Sequence, residues 1–336
     1  MYSGPGDSEF TFELQVCRWA ELAWHPTEGR RPVVVARQLG TSERRWDTVV
    51  IEVDSEAFPA RRAFGDRGLD RDLLRVLQGA PAEFAWYRDA LPDPGFSWRY
   101  VRAAVHRAAD RGLVETRRDD RGRVELRRVR PYPDWIDRVI AIENKPDLDA
   151  SAADRLADQL AHDVSAGLLD EAWVATDADV GSRALLSEFP AEAGVLGFDF
   201  GDGVHPDAAE VLWHPTTLTP DPPVAGPSDA PGGNPTRREE LAERAYGDGW
   251  RPADTTRPDC RAFELRRAGR ALLPYCTAKE CHQTAAECTG SCSKFTPEPP
   301  AWRTKGPPIE GGPGKGFKRL WDRRRRRVRE RIGPDE

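Results

Sequence analysis

The chain has 336 residues, of which 39% are hydrophobic. That is enough for one large or two ordinary domains with linkers between them. A formal net charge of -6 (50 Lys and Arg against 56 Asp and Glu) gives no global basic footprint. No run approaches the roughly 18 apolar residues of a membrane span. The opening MYSGPGDSEF has neither the basic start nor the apolar stretch of a secretion signal. A soluble, cytoplasmic protein with no membrane partner is the expectation. Only six basic residues are lysines and the other 44 are arginines. Abundant acid and scarce Lys fit a high-salt cytoplasm, where the Debye length shrinks to roughly 3 Å at 1 M salt.

In chain order, TFELQVCRWAELAW (11–24) spaces Phe12, Val16, Trp19, Ala20 and Ala23 as one helix face. RPVVVARQL (31–39) and RWDTVVIEVD (45–54) read as two Val- and Ile-rich strands. Three helices are then expected at 69–78, 82–91 and 97–112, followed by a hairpin over 113–129 that turns at Asp120-Arg121-Gly122. RVIAIENK (138–145) is a third strand and 151–167 a helix. EAWVATD (171–177), AGVLGFDF (193–200) and EVLWH (210–214) are further strands. The whole is an α/β pattern interrupted by an insertion. Residues 216–236 are rich in Pro, Gly and Asp and are expected to form a disordered linker. A cysteine-rich segment (237–300) follows, then a Pro/Gly-rich stretch and a basic helix (301–336) whose Arg323 to Arg327 suit a nonspecific nucleic-acid arm.

The third strand turns from Val139–Ile142 to Glu143, Asn144 and Lys145. In a strand, Glu143 and Lys145 share a face. Alone, such a pair is an ordinary strand-end charge pair. Here the neighbouring strand carries Asp47, and the element order is helix, strand, Asp-bearing strand, E-x-K strand, helix, strand. That combination resembles the PD-(D/E)XK nuclease superfamily, with a restriction-endonuclease-like core. The resemblance implies a core in two parts (11–60 and 132–215), with Asp47, Glu143 and the Asn144 carbonyl as ligands of Mg²⁺ (or Mn²⁺). It also implies that Lys145 assists the attacking water, that Glu13 on the first helix completes the site, and that Gln159 joins it from the following helix. Asp163 stands four residues after Gln159, where a Tyr is common in recombination-type members, and Trp46 stands where a Pro is common. Such a trio is chemically coherent: a hard cation on carboxylates polarises a phosphoryl oxygen and acidifies a bound water. The chain as a whole looks like an uncharacterised protein family of halophilic archaea, on stretches such as VVARQLGT.

The three helices and hairpin of the insertion (66–131) resemble a winged helix-turn-helix. That implies double-stranded DNA as a partner, with Arg99, Arg102 and Arg107 on the helix that enters a groove and Arg117, Arg118, Arg121 and Arg123 on the wing. A solvated arginine face used for protein contact is the alternative. Five of the six cysteines lie within 33 residues, at 260, 276, 281, 288 and 292. Cys260, Cys276, Cys288 and Cys292 are the expected Zn²⁺ ligands, with Cys281 or His282 as substitutes. An iron–sulfur cluster that includes Cys17, or simple thiols, are the alternatives. The function expected is metal-dependent hydrolysis of DNA phosphodiesters. The competing class is a non-catalytic DNA-binding or regulatory protein. The oligomeric state stays open, a dimer included.

Overall fold

The protein was analysed as a computed structural model, which describes residues 5–41, 44–65, 67–147, 150–165, 167–177, 189–201, 203–218, 236–248, 260, 262–269, 271–282, 292–294 and 296. The bulk of the expected linker, the basic C-terminal helix and Cys288 lie outside the described residues. The elements in order are α1 (Pro5–Ala23), β1 (Val33–Gly40), β2 (Arg45–Val53), α2 (Phe58–Arg62), α3 (Arg71–Gly79), β3 (Ala85–Trp86), α4 (Tyr87–Ala90) and α5 (Trp98–Asp110). Next come β4 (Val114–Arg118), β5 (Val124–Arg128), β6 (Ile136–Asn144), α6 (Ala150–Ser165), β7 (Glu171–Asp177), β8 (Gly194–Phe198) and β9 (Ala209–Trp213). The described chain closes with α7 (Arg237–Asp248), β10 (Phe263–Ala268), β11 (Ala271–Cys276) and β12 (Cys281–His282).

The result is a mixed α/β molecule around a six-stranded sheet of order β1-β2-β6-β7-β8-β9. β2 runs antiparallel to both its neighbours, β1 and β6, whereas β6, β7 and β8 are parallel. The parallel step from β6 to β7 requires a crossover, which α6 supplies. Both faces of the sheet are covered, which explains why its inner strands are nearly continuous apolar runs. On one face Val16 and Trp19 of α1, with Trp24 just after it, pack against Val50, Ile140, Trp173 and Phe198. On the other, Leu156 and Leu160 of α6 and Leu241 and Tyr246 of α7 pack on Val49, Ile51, Ala141 and Val174.

The insertion builds its own core from Leu74, Leu77, Val101, Val105, Leu113 and Leu126. α3 begins at Asp70, whose carboxylate accepts the Leu73 N–H at 2.9 Å. The helix expected over 82–91 is instead a two-residue strand and a single turn. Ala85 and Trp86 pair with Leu126 and Glu125, which completes a three-stranded sheet of order β3-β5-β4. Edge pairing satisfies backbone groups there that a lone helical turn would leave open.

α7 departs from the expectation of a separate cysteine-rich segment, because it belongs to the core. Glu243 forms a fully buried pair with Arg61 and accepts hydrogen bonds from the Leu69 amide and the Tyr132 hydroxyl at 2.8 and 2.6 Å. The helix approaches so closely that a Cβ at Gly68 would lie 2.5 Å from the Glu243 carbonyl oxygen. Glycine is required there for that reason. The small β10-β11-β12 sheet also docks on the core: Leu273 joins the α1 cluster, and the His282 ring lies 3.0 Å from the Thr11 hydroxyl.

Candidate active site

The backbone of β1 and β2 changes phase at one residue pair. Strict alternation would put Ala36 and Leu39 on opposite faces of the sheet, yet both lie in the core cluster under α6 and α7. Trp46 and Val49 do the same. The switch falls at Gln38, which has a φ of 52°, and at Asp47 opposite it; the register holds on both sides, with Arg37 opposite Thr48 and Leu39 opposite Trp46. A left-handed non-glycine residue stores strain, of order 1–3 kcal/mol, that surrounding contacts must offset. Here those contacts are polar. Gln38 Nε2 donates to Glu13 of α1 at 2.7 Å and to Asp47 at 2.9 Å.

Asp47, Glu143 and Glu13 therefore meet at one rim of the sheet. The second Asp47 oxygen accepts the Asn144 amide N–H at 3.0 Å, so Asp47 is bound to the backbone directly beside Glu143. Arg37 donates to Glu13 at 2.9 Å. Arg44 donates to Glu143, and also to Asp163 of α6 at 3.1 and 3.2 Å. Asn144 gives its side-chain amide to Thr48 at 3.1 Å, while its Oδ1 is buried with no hydrogen-bond partner. Lys145 lies near enough to influence Glu143, but its ammonium donates to Glu9 on α1 at 3.2 Å.

The electrostatics follow from burial. Glu143 is 5% exposed, and burial, reinforced by the charge of Asp47, pushes its carboxyl up to about 8 despite Arg44. Burial also raises Glu13, although Arg37 and Gln38 oppose the shift. Among the described residues no ion pair reaches Asp47. With all its carboxyls ionised, the rim would hold more negative charge than Arg37, Arg44 and Lys145 balance.

Two members of this rim escaped the sequence. Arg44 and Asp163 are 119 positions apart; Arg44 stands in no motif, and Asp163 stands where the resemblance sets a Tyr. Gln159, expected in the site, faces solvent. The buried stripe of α6 runs through Leu156, Leu160 and Asp163, and Gln159 is about 100° round the helix from Leu160. Asp163 is the residue through which α6 touches the rim.

Of the expected DNA-contacting arginines, Arg107 is paired with Asp70 and Asp72, Arg117 with Glu125 and Arg123 with Asp119. Arg99, Arg102, Arg118 and Arg121 are exposed, with no ion pair among the described residues. Cys260 and Cys276 are buried in one small cluster, and Cys281 lies directly opposite Cys276 in the β11–β12 register. Cys292 is half-buried. Cys17 is engaged elsewhere: its thiol lies 3.2 Å from the Thr48 hydroxyl, and burial raises its pKa, which disfavours the thiolate a metal needs.

Residues 34–297 match the model of a protein family described as "Family of unknown function (DUF5787)". The chain belongs to that family. No curated protein and no solved structure matches it. The matched span takes in Asp47, Glu143, Lys145, Asp163 and the five clustered cysteines, and leaves Glu13 outside it.

Proposed function

We propose that the chain is a divalent-metal-dependent nuclease that hydrolyses DNA phosphodiester bonds at the rim where Glu13, Asp47 and Glu143 meet. The observation that carries this reading is the convergence of three carboxylates, two of them buried and shifted upward, at the ends of adjoining elements with too little positive charge beside them. Two further features support it. α1, β1, β2, β6, α6 and β7 follow the element order of the PD-(D/E)XK core, and α3, β3, α5, β4 and β5 follow that of a winged helix.

The donors at the rim are carboxylate oxygens, the ligand type that Mg²⁺ and Mn²⁺ take. Asp47 and Glu143 would hold the ion, with Glu13 beside them, and the bound ion would polarise a phosphoryl oxygen and acidify a water. The chain's own residues supply the rest. The Asn144 amide and Gln38 fix the Asp47 carboxylate. Arg44 steadies Glu143 against α6. Lys145, two residues along the same strand, exchanges Glu9 for the attacking water and stabilises the charge that develops on it. Water oxygen bonds to phosphorus as the phosphorus–oxygen ester bond breaks, leaving a phosphomonoester and a hydroxyl. The exposed arginines of α5 and the β4–β5 hairpin hold the DNA backbone. In the cysteine segment we assign Zn²⁺ to Cys260, Cys276, Cys288 and Cys292, with Cys281 or His282 as substitutes, to order a short Pro-flanked stretch.

The test is cleavage of plasmid and of single- and double-stranded oligonucleotides with Mg²⁺ or Mn²⁺. Wild type cleaves, and Asp47→Asn or Lys145→Ala lowers the rate by about 10²–10³. One observation favours a second reading, a non-catalytic DNA-binding protein: Arg44 already gives Glu143 and Asp163 a cation. DNA binding with wild type and variants equally inert would establish it.

A further inference from the structure

A cleft of about 620 Å³ opens between α5 and the β4–β5 hairpin. Arg88, Arg99, Arg102, Arg118 and Arg123 reach its wall, and no acidic residue does. Five cations facing one concavity repel each other, and neighbouring groups hold four of them. The Arg88 guanidinium lies 5.7–5.9 Å from the ring centres of Trp86, Tyr87 and Trp98. Arg123 sits 5.0 Å from the Trp86 ring centre and gives its Nε to Asp119 at 2.6 Å. Arg99 lies 4.6 Å over Tyr100, and Arg118 donates to the Gly122 carbonyl at 2.9 Å. These contacts use a part of each guanidinium's five N–H donors. Those four planes are pinned while their remaining donors stay available to a ligand.

Pinned guanidinium forks match phosphate. The size of the cleft is that of a small-ligand pocket, roughly 300–1,000 Å³. Phosphodiesters along a continuous duplex lie across the mouth of a concavity of this size and do not enter it. A chain end does, and it brings more charge: a phosphomonoester carries about -1.5 to -2 at neutral pH, where a diester carries a single charge. We infer that this cleft binds the terminal phosphomonoester of a nucleotide, either the phosphorylated end of a DNA strand or a free mononucleotide. The inference deepens the DNA-binding half of the reading above and rests on that half alone. Hydrolysis at the carboxylate rim is not required for it.

The test is fluorescence anisotropy with the full zinc-loaded chain and no added Mg²⁺ or Mn²⁺, so that no strand is cleaved. Labelled single-stranded oligonucleotides carry a 5′-phosphate, a 3′-phosphate or hydroxyls at both ends. One phosphorylated form is expected to bind at least about tenfold more tightly than the hydroxyl form, the worth of one charge-assisted contact. Arg102→Ala and Arg88→Ala, both at exposed positions, bring that ratio close to one while the unfolding temperature stays unchanged. Competition separates the sources. A nucleoside 5′-monophosphate that displaces the probe at concentrations similar to a phosphorylated oligonucleotide identifies a small-ligand pocket, and weak displacement identifies a strand-end site. Equal affinity for all ends, or a preference that survives both substitutions, overturns the inference. Asp47→Asn keeps the end preference and loses cleavage, so the two claims fail separately.

Discussion

The central sheet gathers buried carboxylates at both ends, and the two ends handle them differently. At the end away from Asp47, Glu52 and Glu171 are 1% and 3% exposed, and Glu28 lies beside them. Arg138 donates to all three, at 2.8–3.2 Å, and Arg31 adds contacts to Glu28 and Glu52. Trp24 and Trp173 give their indole N–H groups to Glu52 and Glu171, each at 2.8 Å. His25 Nδ1 accepts the Thr27 amide, which leaves Nε2–H to donate to Glu171 at 3.2 Å. Burial alone would raise Glu171, but the His25 and Trp173 hydrogen bonds outweigh it, and its carboxyl ends below the ordinary value. His25, Glu28 and Glu171 have ligand atoms within 4.8 Å of one another, as a metal site would. Their hydrogen bonds are already made within the protein. At the Asp47 end, Glu13 and Glu143 are shifted upward. The two ends thus differ in the direction of the shift, downward at Glu171 where hydrogen bonds outweigh burial, upward at Glu13 and Glu143 where burial prevails.

The largest expected effect lies at the compensated end. Arg138→Ala strands Glu52 and Glu171 in the interior and should cost about 3–5 kcal/mol, read as a lowered midpoint in urea unfolding. The other end should respond in the opposite sense. With no Mg²⁺ or Mn²⁺ added at pH 8, Glu143→Gln removes a buried carboxylate that shares Arg44 with Asp163 and is expected to stabilise the chain by roughly 1–2 kcal/mol; with Mg²⁺ present it abolishes cleavage. A loss of stability would show that Arg44 already balances Glu143.

pH separates the two ends further. Glu143 titrates near 8 in the folded protein against an ordinary 4.5, so its contribution is full below pH 4.5 and is lost as pH rises toward 8. Glu171 is depressed, so its contribution is present above 4.5 and fades as acid approaches the lower folded value. Metal-free thermal unfolding from pH 5 to 8 should therefore fall in wild type and flatten in Glu143→Gln, with Glu171→Gln keeping the wild-type slope. The smallest effect is expected at Gln38. Replacement by Gly relieves the positive φ but loses the link between Glu13 and Asp47, leaving a net change of about 1 kcal/mol or less. A change of several kcal/mol at Gln38 would mean that the phase switch holds the sheet together.

Much of this architecture was readable because local physics and tertiary need agree. The Val- and Ile-rich runs are strands buried on both faces, and Asp120-Arg121-Gly122 sits in a turn where Gly122 takes a φ of 73°. The resemblance implies that Asp47 and Glu143 sit on adjoining strands, and the pairing of β2 with β6 bears that adjacency out. What stayed hidden depends on contacts distant in sequence. The pairing of Arg44 with Asp163 leaves no local trace. Measured against the superfamily's pattern, Asp163 reads as a mismatch, whereas in the fold it is the α6 contribution to the rim. α7 returns to the core after a Pro- and Gly-rich stretch, and its polarity conceals that Glu243 is buried against Arg61. Lys145 follows Glu143 by two residues as expected, yet its ammonium is directed to Glu9, while Arg44 pairs with Glu143.

The central claim is that the Asp47 end is short of positive charge and is completed by one divalent cation. Calorimetric titration of zinc-loaded protein with Mn²⁺ tests it most directly. The account predicts one site in wild type and in Glu171→Gln, lost in Asp47→Asn and in Glu143→Gln. Identical binding in wild type and the two rim variants, or no binding in any of them, would contradict it.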